Sequence, residues 1–218
     1  MTRVHVFCEG QTEEVFVRDI LRPHFERMNI WMNPIIIRTA AQKKGGVSTY
    51  GKIRRQITKK CKEDPTAWVT TLLDFYGLPK DAPGMADNSG TSFDRGQQVT
   101  MAFQADIDQR NFIAYLIVHE YEGLLFSAPD AFGGWFDDPE VVTALTAVRN
   151  EFNSPEHIDG GVKTTPSKRI LATCDQYDKV NHGALIALDI GLDTMRRECL
   201  LFDGWVRELE ALSPTQSP

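Results

Sequence analysis

Glu9 and Glu13 are the residues of this chain whose spacing points most directly to chemistry. Glu9 ends a short β-prone run, Arg3-Val4-His5-Val6-Phe7-Cys8, and Gly10 turns the chain. A helix then opens with Gln11-Thr12-Glu13-Glu14. This arrangement brings Glu9 and Glu13 together at the carboxyl end of a strand, where open α/β folds place their ligands. Two converging carboxylates are costly unless a cation or a proton lies between them, and a hard divalent ion such as Mg2+ answers that need. Acids in the first helical turn also favour the positive end of the helix dipole, which is sufficient for Glu13 and Glu14 but leaves Glu9 unexplained.

Two more strand ends carry acids. Thr71-Leu72-Leu73-Asp74 ends one β-like run, and Phe112 to Val118 is followed by His119-Glu120-Tyr121-Glu122. In a parallel sheet the carboxyl ends of neighbouring strands share an edge, so Glu9, Glu13, Asp74, Glu120 and Glu122 can meet although they are remote in sequence. Such a set suits one or two Mg2+ or Mn2+ ions that bridge a phosphate and activate a water. Any one of these acids alone reads equally well as a cap on the next helix. His119, beside Glu120, is expected to orient a carboxylate, with direct catalysis or ligation as the alternative. The zinc-protease pattern HExxH fails at Gly123, and GxxxxGK[ST] is absent.

These residues require strands alternating with helices. The pattern predicts strands over Val4–Cys8, Pro34–Arg38, Trp68–Leu73 and Phe112–Val118. It predicts helices over Glu13–Met28 (bent by Pro23), Gly51–Lys62, Val99–Asp108, Gly123–Ser127 and Pro139–Phe152. Residues 42 to 50 and 77 to 98 read as loops, the second long enough to suggest function. Ser167 opens a further element, and Gly183 to Ala211 reads as helical with possible breaks at Gly191 and Gly204. The expected fold is therefore α/β: an open, mostly parallel sheet flanked by helices, with a helical C-terminal part, in one domain over 1–212 and a disordered tail over 213–218.

An apolar fraction of 42% with 25% charged residues is that of an ordinary globular protein. The four cysteines form no CxxC pair, so neither a zinc knuckle nor a redox motif is indicated. No apolar run approaches a membrane span and no signal-peptide pattern is present, so the cytoplasm is the expected location. A net charge of −6 argues against a protein that coats nucleic acid. Trp31 to Lys62, however, contains no acid and carries Lys43, Lys44, Lys52, Arg54, Arg55, Lys59 and Lys60. Such a face can hold phosphates while the rest repels them; the alternative is a merely solvated helix.

The ordered motifs Cys8-Glu9-Gly10-Gln11-Thr12-Glu13, Leu73-Asp74-Phe75-Tyr76-Gly77-Leu78-Pro79, His119-Glu120-Tyr121-Glu122-Gly123-Leu124-Leu125-Phe126 and Pro166-Ser167-Lys168-Arg169 resemble a bacterial family with a Toprim-like domain. That family is similar in pattern to the nuclease half of the OLD-type (overcoming lysogenization defect) proteins. The resemblance implies a Toprim-like fold and a Mg2+- or Mn2+-dependent nuclease acting on DNA or RNA. It makes Glu9 the first glutamate of that site, Glu13 the second acid of the nuclease version and Asp74 the first aspartate of a DxD pair. Tyr76 stands where the second aspartate belongs and takes a supporting place, so Glu120 and Glu122 become the replacement carboxylates. Lys168 corresponds to a late lysine that stabilises charge on the scissile phosphate; Ser167 capping a helix, with Lys168 in solvent, is the plainer reading. The family further implies a partner ATPase of the SMC or ABC type in phage defence or DNA repair. The rival readings are a non-catalytic nucleic-acid or nucleotide-binding module and a docking subunit for such an ATPase.

Overall fold

The computed structural model describes residues 1–38, 49–87, 89–158, 161 and 164–214. Lys43 and Lys44, and most of the loop expected around them, lie outside the described residues. Strands β1 (Thr2–Cys8), β2 (Ile30–Ile36), β3 (Trp68–Asp74), β4 (Phe112–Ile113) and β5 (Leu116–Ile117) form one sheet in the order β2-β1-β3-β4. β5 continues the β4 edge beside β3, and every described pairing is parallel. The chain runs outward from β1 to β2 and then back across to β3. This order places a topological switch point between β1 and β3, the two strands that end at Glu9 and Asp74.

Strand alternation sorts side chains onto two covered faces. Val4, Val6, Cys8 and Leu72 face a core with Phe16, Phe25, Ile186, Phe202 and Trp205. Phe7, Val69 and Leu73 face a second core. The first face is covered by α1 (Gln11–Phe16), a π-helical turn Val17–Leu21 and α2 (Arg22–Glu26), together with helices from the C-terminal half. The second is covered by α3 (Tyr50–Glu63) and α4 (Ser92–Ile107), through Ile53, Ile57, Val99 and Phe103. Each fully buried Ile or Phe contributes roughly 1.5–3 kcal/mol by leaving water. The C-terminal half comprises α5 (Glu122–Leu125), α6 (Pro139–Asn150), α7 (Pro166–Thr173), a π-helical turn Lys179–Gly183 leading into α8 (Ala184–Ile190), then α9 (Leu192–Glu198) and α10 (Leu200–Glu210). In the first core the Trp205 indole donates to the buried Thr70 hydroxyl at 2.9 Å.

Several element boundaries differ from those expected. The second strand begins at Ile30 rather than Pro34, because β2 is an edge strand and tolerates a proline inside it. The fourth strand is split at Ala114-Tyr115, where the Thr71 hydroxyl donates to the Tyr115 carbonyl (2.7 Å) and accepts from its N–H (3.0 Å). The loop expected to reach residue 98 ends at Thr91, since Thr91 and Asp94 form a reciprocal cap that starts α4 at Ser92. Gly191 does break the C-terminal helices, with φ +76°. Gly204 does not; the second break falls at Cys199. Of the expected disordered tail, Ser213 is tied down, its hydroxyl donating to the Met28 carbonyl at 2.8 Å. All four cysteines are buried and free. Among the described residues no helix is long and apolar enough to cross a membrane.

Candidate functional site

The carboxylates at the carboxyl edge of the sheet are assembled from three strand ends. After β1, the chain turns at Gly10, whose N–H donates to Glu13 Oε2 at 2.9 Å. One oxygen of Glu13 therefore caps its own helix, as the dipole argument requires. The other, Oε1, points to Lys179 Nζ at 3.4 Å, and the whole residue is only 2% exposed. After β3, Asp74 Oδ1 accepts from the Tyr121 N–H at 2.8 Å and Oδ2 from Lys179 Nζ at 3.3 Å. The turn Phe75–Gly77 follows. A Cβ on Gly77 would stand 2.6 Å from Glu9 Oε2, so this glycine makes room for the Glu9 carboxylate against the end of β3.

After β5 the chain passes through His119 in a left-handed conformation (φ +69°), which sets Glu120 and Glu122 beside the other acids. The His119 carbonyl accepts from the Tyr76 N–H at 3.1 Å, joining the third strand end to the second. The two rings lie 5.2 Å apart, and the Tyr76 hydroxyl donates to Ser92 at 3.2 Å. Both residues thus brace the loops beneath the acids. Glu120 Oε2 accepts from the Ser167 N–H at the start of α7, at 3.1 Å. Glu122 is buried, with Oε2 3.5 Å from Lys179 Nζ.

Lys179 is the central cation of the site, and it did not stand out in the sequence. Its ammonium meets Glu13, Asp74 and Glu122 at 3.4, 3.3 and 3.5 Å. Asp178 fixes it by capping: its carboxylate accepts from the Asn181 N–H at 2.7 Å, and its own N–H donates to His182 Nδ1 at 2.9 Å. Thr12 Oγ1 donates to the Lys179 carbonyl at 3.4 Å, which ties this turn to α1. The signal in the sequence is electrostatic. A lysine directly after a capping aspartate is mildly unfavourable at the positive end of a helix, a weak hint that does not name its partners.

The acids are held against their preference. Burial raises the Asp74 pKa well above the usual carboxylate range; Lys179 opposes this, and Glu9, Glu13 and Glu122 reinforce it. Burial likewise raises Glu122, with Lys179 opposing and Glu120 adding to the rise. Glu9 is exposed as a residue, but its carboxyl is crowded. Desolvation, then the Glu13 charge, push its pKa up. Burial disfavours the Lys179 ammonium, yet Asp74, Glu122 and Glu13 outweigh that and raise its pKa.

All five acids singled out in the sequence therefore converge. Lys168 is exposed on the first turn of α7, next to the residue that holds Glu120. The basic segment is partly committed to structure. Arg54 pairs with Asp106 of α4 at 2.7 Å, and Lys59 and Lys60 lie 3.4 and 3.7 Å from Glu63. Lys52 is half-buried and Arg55 exposed on α3. Ile53, from the same helix, lines a cleft of about 650 Å3 that opens beside Glu9, Asp74 and Gly77.

The donor set tests well for a hard divalent ion in its chemistry: it is all carboxylate oxygen, and three of the acids have raised pKa values. Among the described residues, however, no group of three or more His, Cys, Asp or Glu side chains forms a ready metal cage. The inner carboxylates close on the lysine instead.

Sheet order and site together define an α/β protein with a carboxylate-rich cleft at its switch point. The chain belongs to the family described as "Domain of unknown function (DUF4276)", whose model matches residues 8–210. No curated protein and no solved structure matches it.

Proposed function

We propose that this protein is a metal-dependent nuclease of the Toprim type, hydrolysing phosphodiester bonds of DNA or RNA. The observation that carries this reading is the meeting of Glu9, Glu13, Asp74, Glu120 and Glu122 at one edge of a parallel sheet, with the charges of Glu9, Asp74 and Glu122 undercompensated. Glu9, Glu13, Asp74, Glu120 and Glu122 would hold the metal. A bound Mg2+ or Mn2+ would neutralise phosphate oxygens and make water a nucleophile near neutral pH. The chain's own groups do the rest. The Ser167 N–H keeps Glu120 turned toward the site, and Tyr76 and His119 fix the loops that carry the acids. Lys168, at the rim, meets charge that develops on the scissile phosphate. Lys52 and Arg55 on α3 engage the backbone, with Lys43, Lys44, Arg54, Lys59 and Lys60 adding to the basic segment.

An SMC- or ABC-type ATPase partner and a role in bacterial phage defence or DNA repair belong to this reading through the resemblance. A cytoplasmic location is supported by the four free, buried thiols. The rival reading is a module that binds nucleic acid without cleaving it, and the Lys179 ammonium among the inner acids favours it.

The deciding experiment is cleavage of supercoiled plasmid, linear DNA and RNA with Mg2+, Mn2+ or EDTA, with Asp74→Asn purified in parallel. Metal-dependent cleavage by the wild type and not by Asp74→Asn is expected. Equal cleavage by both would mean a contaminating nuclease, and binding without cleavage under every condition would favour the rival.

A further inference from the structure

We propose that the Lys179 ammonium and a divalent cation are alternative occupants of one site, so that the metal enters only as the lysine swings out. The inference rests on the metal reading above and adds a gate to it. Three features carry it.

The first is position: Nζ stands 3.3 to 3.5 Å from one oxygen each of Glu13, Asp74 and Glu122, acids from three different segments. A cation held by these same oxygens would come too close to the ammonium for both to stay. The second is looseness. Charge-assisted N–H···O bonds favour about 2.7–2.9 Å. All three distances here are longer, so the ammonium is shared among the acids and locked to none of them. The third is an exit. The Lys179 side chain is 36% exposed, whereas those of Glu13 and Glu122 are 2% and 3%. Its flexible four-carbon stem lets the head reach water while the backbone stays fixed by Thr12 and the Asp178 cap.

Charge supplies the drive. One ammonium balances one of five clustered acids, and a divalent ion balances two. The lysine is then a built-in counter-ion that keeps the folded chain intact without metal and sets a threshold for metal entry.

The test is Mn2+ titration of the full chain, followed by the electron paramagnetic resonance of free Mn2+, with no nucleic acid present. Wild type, Lys179→Met and Lys179→Arg are compared. Lys179→Met should bind Mn2+ at least ~10-fold more tightly, a conservative share of the Coulomb repulsion removed at a few ångströms. Lys179→Arg, which keeps the charge, should bind no tighter than wild type. Binding by Lys179→Met alone would also support the gate. If Lys179→Met binds with wild-type affinity or more weakly, the exchange is wrong while the metal reading stands. If neither protein binds Mn2+, both fall. Should Lys179→Met fail to fold with three uncompensated acids, Lys179→Met/Glu122→Gln is compared with Glu122→Gln, and the same tightening is required.

Discussion

The two ends of the sheet hold similar polar residues in opposite electrostatic states. At the amino end, Asp64 is met by Arg3 at 2.9 Å and His5 at 3.3 Å, and Thr66 donates to it at 3.1 Å. Asn111 stitches the same edge by donating to the Cys61, Asp64 and Ala67 carbonyls. Desolvation pushes the Asp64 pKa up, but His5, Thr66 and Arg3 outweigh it and leave it low. At the carboxyl end, acids outnumber cations and Glu9, Asp74 and Glu122 are all pushed up. A polar cluster built for stability satisfies its charges. The carboxyl end, at the switch point, leaves them in surplus, as the proposed metal site requires.

The sharpest way to break this contrast is to remove an acid from the surplus end. Asp74→Asn or Glu9→Gln should lower metal-dependent cleavage on the order of a hundredfold or more, since metal-borne charge stabilisation is worth several kcal/mol. Mn2+ should also raise the melting temperature less than it does in the wild type. Undiminished melting shifts in both variants would dissolve the shared site.

Removing a stitch at the balanced end should do the reverse. Asn111→Ala leaves backbone carbonyls without their donor and should cost about 1–3 kcal/mol of stability. Its Mn2+ affinity should stay that of the wild type; a parallel loss of both would show that the two ends are not independent.

The ends should also answer pH with opposite signs. Asp74 and Glu122 titrate higher in the folded chain than in the unfolded one, so the folded state binds more protons above the ordinary carboxylate range. Their contribution therefore improves as pH falls from 7 toward 5. Asp64, held low, contributes stability above its unfolded pKa and loses it as pH falls through its folded value, below the ordinary carboxylate pKa of about 3.9. Urea unfolding of metal-free wild type and Asp74→Asn at pH 7 and 5 separates the two. The wild type should gain on the order of 1 kcal/mol relative to the variant at the lower pH. A gain of equal size in both would remove Asp74 from the account.

The smallest expected effect sharpens the geometry. Gly77→Ala places a methyl against the Glu9 carboxylate, which can rotate away cheaply because it is the end of a flexible side chain. Stability should change by less than ~0.5 kcal/mol, as for most surface substitutions, while Mn2+ affinity falls several-fold. Unchanged Mn2+ binding would mean that the Glu9 position over Gly77 does not matter.

Much of this was legible in the sequence. The strand-end acids at Glu9, Asp74 and Glu120 marked their own positions because a parallel sheet leaves its carboxyl ends on one edge. The helix Tyr50–Glu63 announced itself through Ile53, Ile57 and Cys61 on one face. The start of α4 was hidden by Gly96, a poor helix residue, although a Cβ there would meet Val118 and Phe75 only at ordinary contact distance. The split of the fourth strand was hidden because a hydroxyl on another strand, Thr71, causes it. Lys179 was missed for a related reason. Its meaning lies in acids 57 to 166 positions away, and no local pattern records such a meeting.

The central place of β1 governs how the chain must be made. β1 lies inside the sheet between β2 and β3, and Thr2 Oγ1 donates to the Leu212 carbonyl at 2.9 Å across 210 positions. Its inner face is covered by residues as late as Phe202 and Trp205. At ~5–20 residues per second, synthesis leaves that strand waiting about 10–40 s for its cover. During that interval Val4, Val6 and Cys8 are an apolar strip short of its final cover, the kind of exposed surface that invites misfolding. Assembly from contacts so distant is slow, and the inner face of β1 receives its full cover only when the last helices dock. Until α10 is in place, the strand at the centre of the sheet lacks part of the cover that keeps it from water.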